Sequence, residues 1–134
     1  MELEFKNQEK YVARNLHSSE WKQVIEKAKS APEAKLHMFV LQCFANSQTI
    51  SIGTICAFKG INLETGAQRS VGSTAISYIS NWVKAVTNEE KAFFCQWHPI
   101  SGKWTIDSYQ MRALRKALGC ENTIPLPPKQ YGDL

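Results

Sequence analysis

The chain has 134 residues, of which 43% are hydrophobic and 21% are charged. This is the length and composition of one ordinary folded domain, and it excludes a disordered or low-complexity protein. The net charge of +4, with an isoelectric point near 8.9, is compatible with a polyanionic partner but does not require one. We predict a single globular domain over residues 1–119 and an extended or flexible C-terminal tail over residues 120–134, which is rich in proline.

The sequence predicts a cytoplasmic protein without a membrane anchor. Its first six residues carry charges where a signal peptide needs an apolar stretch. The longest run of large apolar residues, 38–41, is far shorter than the roughly 20 residues that cross a bilayer. The four cysteines form no CxxC pair, so we expect free thiols in a reducing compartment.

Two helices are predicted in the first third of the chain. Ser18 or Ser19 can cap the first, whose apolar face is Trp21, Val24, Ile25 and Ala28. The motif from Ser30 to Glu33 is a capping box and predicts a second helix from about residue 31 to about residue 46. A buried strand over residues 36–44 is the alternative.

The middle of the chain holds one ambiguous segment and one clear helix. Residues 49–58 fit either a strand or a short helix, and residues 59–72, punctuated by glycine, predict a loop. Residues from about 73 to 87 predict an amphipathic helix. Its apolar side is Ala75, Ile76, Ile79, Trp82, Val83 and Val86, and its polar stripe is Ser73, Ser77, Ser80, Asn81 and Lys84.

The last part of the domain predicts a hairpin followed by a helix. Aromatic-rich runs over 93–98 and 103–106 flank a four-residue turn with Pro and Gly, and Asp107 then caps a helix that ends at Gly119. The predicted fold class is α+β, mainly helical with one C-terminal β-hairpin. The alternative is a set of helices packed on a four-stranded antiparallel sheet.

The order of elements over residues 31–107 resembles winged helix-turn-helix nucleic-acid-binding domains. The run from Ser70 to Ser77 also looks like the turn and the start of the recognition helix in such proteins. The resemblance implies that the helix before the hairpin enters the major groove of DNA while the hairpin, or wing, contacts the flanking backbone.

The resemblance also implies roles for individual residues. Ser73, Ser77 and Asn81 would contact base edges, and Arg69, Lys84, Lys91 and Lys103 would contact phosphates. Arg112, Arg115 and Lys116 form the densest cationic patch in the sequence and are further candidates. We therefore expect a small non-enzymatic protein that binds double-stranded DNA as a regulator or accessory factor.

No pattern predicts an enzyme, a cofactor or a metal site. Cys95 and His98 are three residues apart, and on a strand such side chains point to opposite faces. The segment from Gly66 to Thr74 lacks the GK[ST] of a phosphate-binding loop.

Two other function classes remain as alternatives. The first is a protein-binding inhibitor or adaptor that contacts its partner through the aromatic hairpin or the Pro-rich tail. The second is an enzyme that uses a cysteine or a histidine, which an unusually reactive thiol would reveal.

Overall fold

The computed structural model describes residues 12–13, 15–60 and 68–119. Within these ranges the chain is mainly helical α+β, with five helices and five short strands. In chain order these are β1 (Val12–Ala13), α1 (Ser18–Ser30), α2 (Ala34–Ser47), β2 (Thr49–Ser51), α3 (Ile52–Lys59), α4 (Gln68–Thr87), β3 (Ala92–Phe93), β4 (Gln96–His98), β5 (Lys103–Thr105) and α5 (Ser108–Ala117). The predicted tail, residues 120–134, lies outside the described residues.

The first helix has the predicted core face but a different cap. Trp21 and its three apolar partners are buried, as the periodicity predicts. The N-cap residue is His17, one residue before the predicted serines, and its backbone N–H donates to Glu20 Oε1 at 2.9 Å. This bond stabilises the first turn, because the N-terminal N–H groups of a helix have no partners within it.

The second helix is confirmed over residues 36–44, and the strand alternative is wrong there. The predicted capping box is also wrong. Ser30 is the last residue of α1, where its Oγ donates to the carbonyl of Glu26. Glu33 is the N-cap residue of α2 in a left-handed conformation, with φ 59°. Its carboxylate accepts a hydrogen bond from Lys59 on α3 and so does not cap its own helix.

The ambiguous segment 49–58 holds both predicted structures. Thr49–Ser51 is a strand, and the helix starts directly after it at Ile52. Ser51 ends the strand and caps the helix, because its Oγ accepts from the backbone N–H of Thr54 at 3.0 Å.

α4 is longer than predicted. It begins at Gln68, so residues 68–72 are helical and not part of a loop. Residues 60–67 connect it to α3, and Arg69 lies in its first turn. Gly72, which the sequence suggests as a loop residue, therefore lies within a helix.

The hairpin belongs to a three-stranded antiparallel sheet with the order β2-β5-β4. Trp104 is at its centre, paired with Ile50 on one side and with Trp97 on the other. β1 and β3 form a separate parallel pair. The four-stranded antiparallel alternative is therefore wrong for the described residues.

The first hairpin strand is shorter than predicted because Phe94 turns into the core. Its ring packs edge-on against Trp21 and Phe44, with centroids at 5.8 and 5.6 Å. Its carbonyl accepts from Gln110 Nε2 at 2.6 Å, which replaces a hydrogen bond to a neighbouring strand. Residues 94–95 thus separate β3 from β4.

The last helix is confirmed with its predicted caps. Asp107 Oδ1 accepts from the backbone N–H of Gln110 at 2.7 Å, and Gly119 follows the helix with φ 80°. Leu114 is fully buried, and Met111 and Leu118 pack against the core. None of the described helices combines the length and the apolar composition that crossing a bilayer requires.

Candidate nucleic-acid interface

α4 presents one side to the core and another to solvent. The buried residues Ala75, Ile79 and Val83 recur at helical spacing and pack towards α1, α3 and β3. An amphipathic helix in this position must leave its opposite side open unless another element covers it.

The predicted base-contacting residues all lie on that open side. Ser73, Ser77 and Asn81 are exposed, and Lys84 is half-buried. They are spaced three or four residues apart and therefore form one continuous stripe along the helix. Ser80, the fifth residue of the predicted stripe, is half-buried, so from here the polar stripe is the set Ser73, Ser77, Asn81 and Lys84.

Two exposed residues beside the polar stripe were missed by the sequence analysis. Thr74 and Tyr78 are one turn apart, and Tyr78 retains 48% of its accessible surface. Their spacing of four residues is a signal that the sequence does contain. They widen the open side with two hydroxyl groups and an aromatic ring.

The hairpin lies next to the N-terminal half of α4. A Cβ atom at Gly72 would be 3.2 Å from Trp104 Cη2 and 3.4 Å from Ile52 Cγ1. A side chain there would push the helix away from the sheet, so glycine permits this close approach. The polar stripe begins at the next residue, Ser73.

The hairpin turn is also joined to the start of α3. The backbone N–H of Ile52 donates to the carbonyl of Gly102 at 3.0 Å. Ile52 therefore contacts the turn through its backbone and lies beside α4 at Gly72. The start of α3, the turn and the first part of the polar stripe form one corner of the molecule.

The predicted phosphate-contacting residues fall into two groups. Lys103 is on β5 beside Trp104, near the N-terminal half of α4, and Lys91 is exposed just after the C-terminal end of α4. Trp104 faces α4 at Gly72, and successive side chains of a strand point to opposite faces, so Lys103 lies on the other face of the sheet, whereas Lys91 lies beyond the C-terminal end of the polar stripe. Arg69 is in the first turn of α4, and its side chain lies outside the described residues.

The second cationic group is on another helix. Arg112 and Lys116 are exposed on α5 and Arg115 is half-buried there. α5 packs mainly against α1 and α2, and it follows the end of β5 that is opposite the hairpin turn. Lys84 and Lys91 thus lie on α4 or just after it and Lys103 lies in the hairpin, whereas Arg112, Arg115 and Lys116 lie on α5.

A small cleft of about 160 Å³ lies where α2, α3 and α4 meet. At its mouth Lys59 Nζ is 2.6 Å from Glu33 Oε1, and this hydrogen bond lowers the pKa of the Glu33 carboxyl. His37 in its wall is buried and lies edge-on to Trp82 and Tyr78, with ring centroids at 5.0 and 5.4 Å. Burial lowers the pKa of His37, so the neutral imidazole is favoured.

The described cysteines are poor nucleophiles. Burial raises the pKa of Cys43 to about 12 and also raises the pKa of Cys56 and of Cys95. A thiol must ionise to attack, and these shifts disfavour the thiolate. His98 Nε2 is 2.8 Å from Thr105 Oγ1 on the neighbouring strand, an interaction within the hairpin.

The aromatic side chains of the hairpin offer little open surface. Phe94 is 2% exposed and Trp104 is 6% exposed. Trp97 is half-buried and packs on Trp104 with ring centroids at 4.5 Å. Full exposure of Phe94 and Trp97 would favour the protein-binding alternative, and it is not observed.

No protein-family model matches this sequence, and no curated protein or solved structure matches it at a significant level either.

Proposed function

We propose that this chain is a non-enzymatic, cytoplasmic DNA-binding protein with a winged-helix-like domain, acting as a regulator or accessory factor. α4 is the helix that enters the major groove, and the β4–β5 hairpin is the wing. The single observation that carries the proposal is the corner formed by α4 and the hairpin, where the polar stripe starts next to Gly72 against Trp104.

The arrangement of the sheet supports this assignment. β2 comes directly before α3 and pairs with β5 of the hairpin. This pairing holds the hairpin beside the two helices α3 and α4, as a winged helix-turn-helix domain requires. The order from Ala34 to Thr105 is helix, strand, helix, helix, the short strand β3 and the hairpin.

The chemistry of the open side supports the same function. Hydroxyl and amide groups can donate and accept hydrogen bonds at base edges in the major groove. Ser73, Ser77 and Asn81 carry these groups on a helix face that is exposed. Lys91 just after α4 and Lys103 in the hairpin are suited to phosphates, since backbone contacts position a protein on the duplex.

The cytoplasmic location rests on the cysteines. Cys43, Cys56 and Cys95 are free thiols in the structure. Free thiols persist in reducing compartments, whereas secreted proteins tend to pair their cysteines.

The proposal is tested by titrating a fluorescein-labelled duplex with the protein and following anisotropy at several salt concentrations. If Lys84, Lys91 and Lys103 each neutralise one phosphate, they contribute about −2.7 to the slope of log K against log [salt], because each contact contributes roughly −0.9. Absence of binding at low salt would refute the proposal.

A matched pair of variants locates the interface. Ser77→Glu places a negative charge on the polar stripe, and Gln23→Glu places the same charge on an exposed position of α1. We expect Ser77→Glu to weaken binding about tenfold, a loss of about 1.4 kcal/mol, since a carboxylate within the major groove is repelled by the negative charge of the DNA. Gln23→Glu should bind almost like the wild type. Equal losses in both variants would mean that α4 is not the contacting element.

A further inference from the structure

Four exposed side chains form one uncharged patch on the open side of α4: Thr74, Ser77, Tyr78 and Asn81. Each lies three or four residues from two of the others, so they are neighbours on the helix surface. Residues 73–83 contain no Asp, Glu, Lys or Arg, and the next charged residue, Lys84, is half-buried. The uncharged patch therefore offers a partner hydrogen bonds and apolar surface, not charge.

Tyr78 is the largest member of the uncharged patch, and its ring is held in place. The ring centroid is 5.4 Å from that of His37 on α2 and 6.2 Å from that of Trp82 on the next turn of α4. His37 is buried and Trp82 is half-buried, so these rings support Tyr78 from the protein side while it retains 48% of its accessible surface. A side chain that is preorganised in this way loses less conformational entropy when it binds.

The uncharged patch carries groups that read A·T base pairs in the major groove. The side-chain amide of Asn81 can donate to N7 of adenine and accept from its N6 amino group, which makes a bidentate pair. The edge of the Tyr78 ring can contact the C5-methyl group of thymine. Arg and Lys read guanine, and Asp and Glu read cytosine, but none of these residues occurs over 73–83. The chemistry of the patch thus favours A·T pairs over G·C pairs.

We propose that α4 reads A·T base pairs in the major groove, with Asn81 on adenine and Tyr78 on a thymine methyl group. The inference rests on the proposed DNA binding and deepens it by naming the base pairs. At about 1.5 Å per residue, the two residues are about 4.5 Å apart along the helix axis. Base pairs are stacked about 3.4 Å apart, so the two side chains reach the same pair or neighbouring pairs.

The first measurement determines which sequences the protein prefers. The full chain is incubated with a pool of duplexes whose core of about two helical turns, roughly 20 base pairs, is randomised, and the bound DNA is sequenced. We expect enriched sequences to share A·T pairs at one or more positions, favoured there about tenfold over G·C pairs. Enriched sequences that share G·C pairs instead would overturn the inference.

Base analogues in the selected duplex then test each contact on the unaltered protein by anisotropy. Replacing thymine by uracil should weaken binding about fourfold at the position that Tyr78 contacts, since one methyl group is lost there. Replacing adenine by 7-deazaadenine removes the N7 acceptor and should weaken binding about tenfold at the position that Asn81 contacts. If uracil weakens binding at no position, Tyr78 does not read thymine.

Variants assign each effect to its residue. Tyr78→Ser should bind the thymine and uracil duplexes equally and remain sensitive to 7-deazaadenine, and Asn81→Ala should show the reverse. The control Gln23→Ala, at an exposed position of α1, should keep both sensitivities. Each comparison is a ratio of affinities for two duplexes on one variant, so a loss of folded protein affects both affinities equally. A Tyr78→Ser variant that still distinguishes thymine from uracil would overturn the role of Tyr78.

The outcomes separate the two proposals. No anisotropy change with the wild type at low salt would overturn DNA binding and the readout with it. Binding without a preference for A·T pairs would overturn the readout and leave DNA binding intact. A preference for A·T pairs in which the uracil effect depends on Tyr78 and the 7-deazaadenine effect depends on Asn81 supports the readout.

Discussion

The contact between Gly72 and Trp104 predicts a clear cost for a larger residue at position 72. Valine is a better helix former than glycine, and at an exposed site the change would gain about 0.3–0.5 kcal/mol. In the folded domain the Cβ would lie 3.2 Å from Trp104 Cη2, and the two γ-methyl groups extend further. Overpacking of this kind costs about 1–3 kcal/mol. We expect Gly72→Val to lower the free energy of unfolding by about 1–2 kcal/mol.

Urea unfolding followed by tryptophan fluorescence measures this change, because the chain has four tryptophans. The matched control is Ser73→Val at the next, exposed position of the same helix. Serine and valine have similar helix propensities, so the control should change stability by less than about 0.5 kcal/mol. A Gly72→Val variant that is as stable as the wild type, or more stable, would show that the helix and the sheet accommodate the larger side chain without strain.

Two further predictions concern the helix-capping carboxylate of Asp107 and the buried imidazole of His37. Asp107→Ala removes the acceptor for the Gln110 N–H and should cost about 0.5–2 kcal/mol in urea unfolding. Asp107→Ser keeps a capping oxygen and should recover most of that loss, whereas an equal loss in both variants would contradict the capping role. Lowering the pH from 7 to 5 should reduce the free energy of unfolding of the wild type more than that of the His37→Phe variant.

Much of the helical fold could be predicted because its signals are local. The faces of α1 and α4 follow from apolar residues at helical spacing, and the cap at Asp107 involves a residue only three positions away. The same logic predicted that Ser73, Ser77 and Asn81 would be exposed. A periodic pattern identifies the open side of a helix without knowledge of its neighbours.

The errors arose where a distant contact decided the structure. The side chain of Glu33 does not cap α2, because its carboxylate accepts a hydrogen bond from Lys59, 26 residues away. Phe94 leaves the predicted strand because Trp21, Phe44 and Gln110 hold it in the core. These partners are remote in sequence, so no local pattern could indicate them.

In the candidate site, too, the local features were predictable from the sequence and the contacts between distant residues were not. The polar stripe was predictable, but its closeness to the hairpin was not, because that depends on Gly72 approaching Trp104 across 32 positions of sequence. The hydrogen bond from the backbone N–H of Ile52 to the carbonyl of Gly102 in the turn is equally non-local. The sequence alone therefore indicates which side chains are open and does not fix which of them lie together.

The acid sensitivity assigned to His37 follows from its burial. Its pKa in the folded chain is lowered from the ordinary value of 6.5, chiefly by burial, and partly by Lys59, while Glu33 acts in the opposite direction. The unfolded chain consequently binds more protons than the folded one below about pH 6.5, so stability is full above that pH and falls as the pH drops towards the folded-state pKa. His37→Phe removes the titrating group and should flatten this slope. If His37→Phe leaves the slope of unfolding free energy against pH unchanged between pH 5 and 7, His37 takes up its proton equally well in the folded and the unfolded chain. The cleft between α2, α3 and α4 would then have to admit enough water to solvate the charged ring.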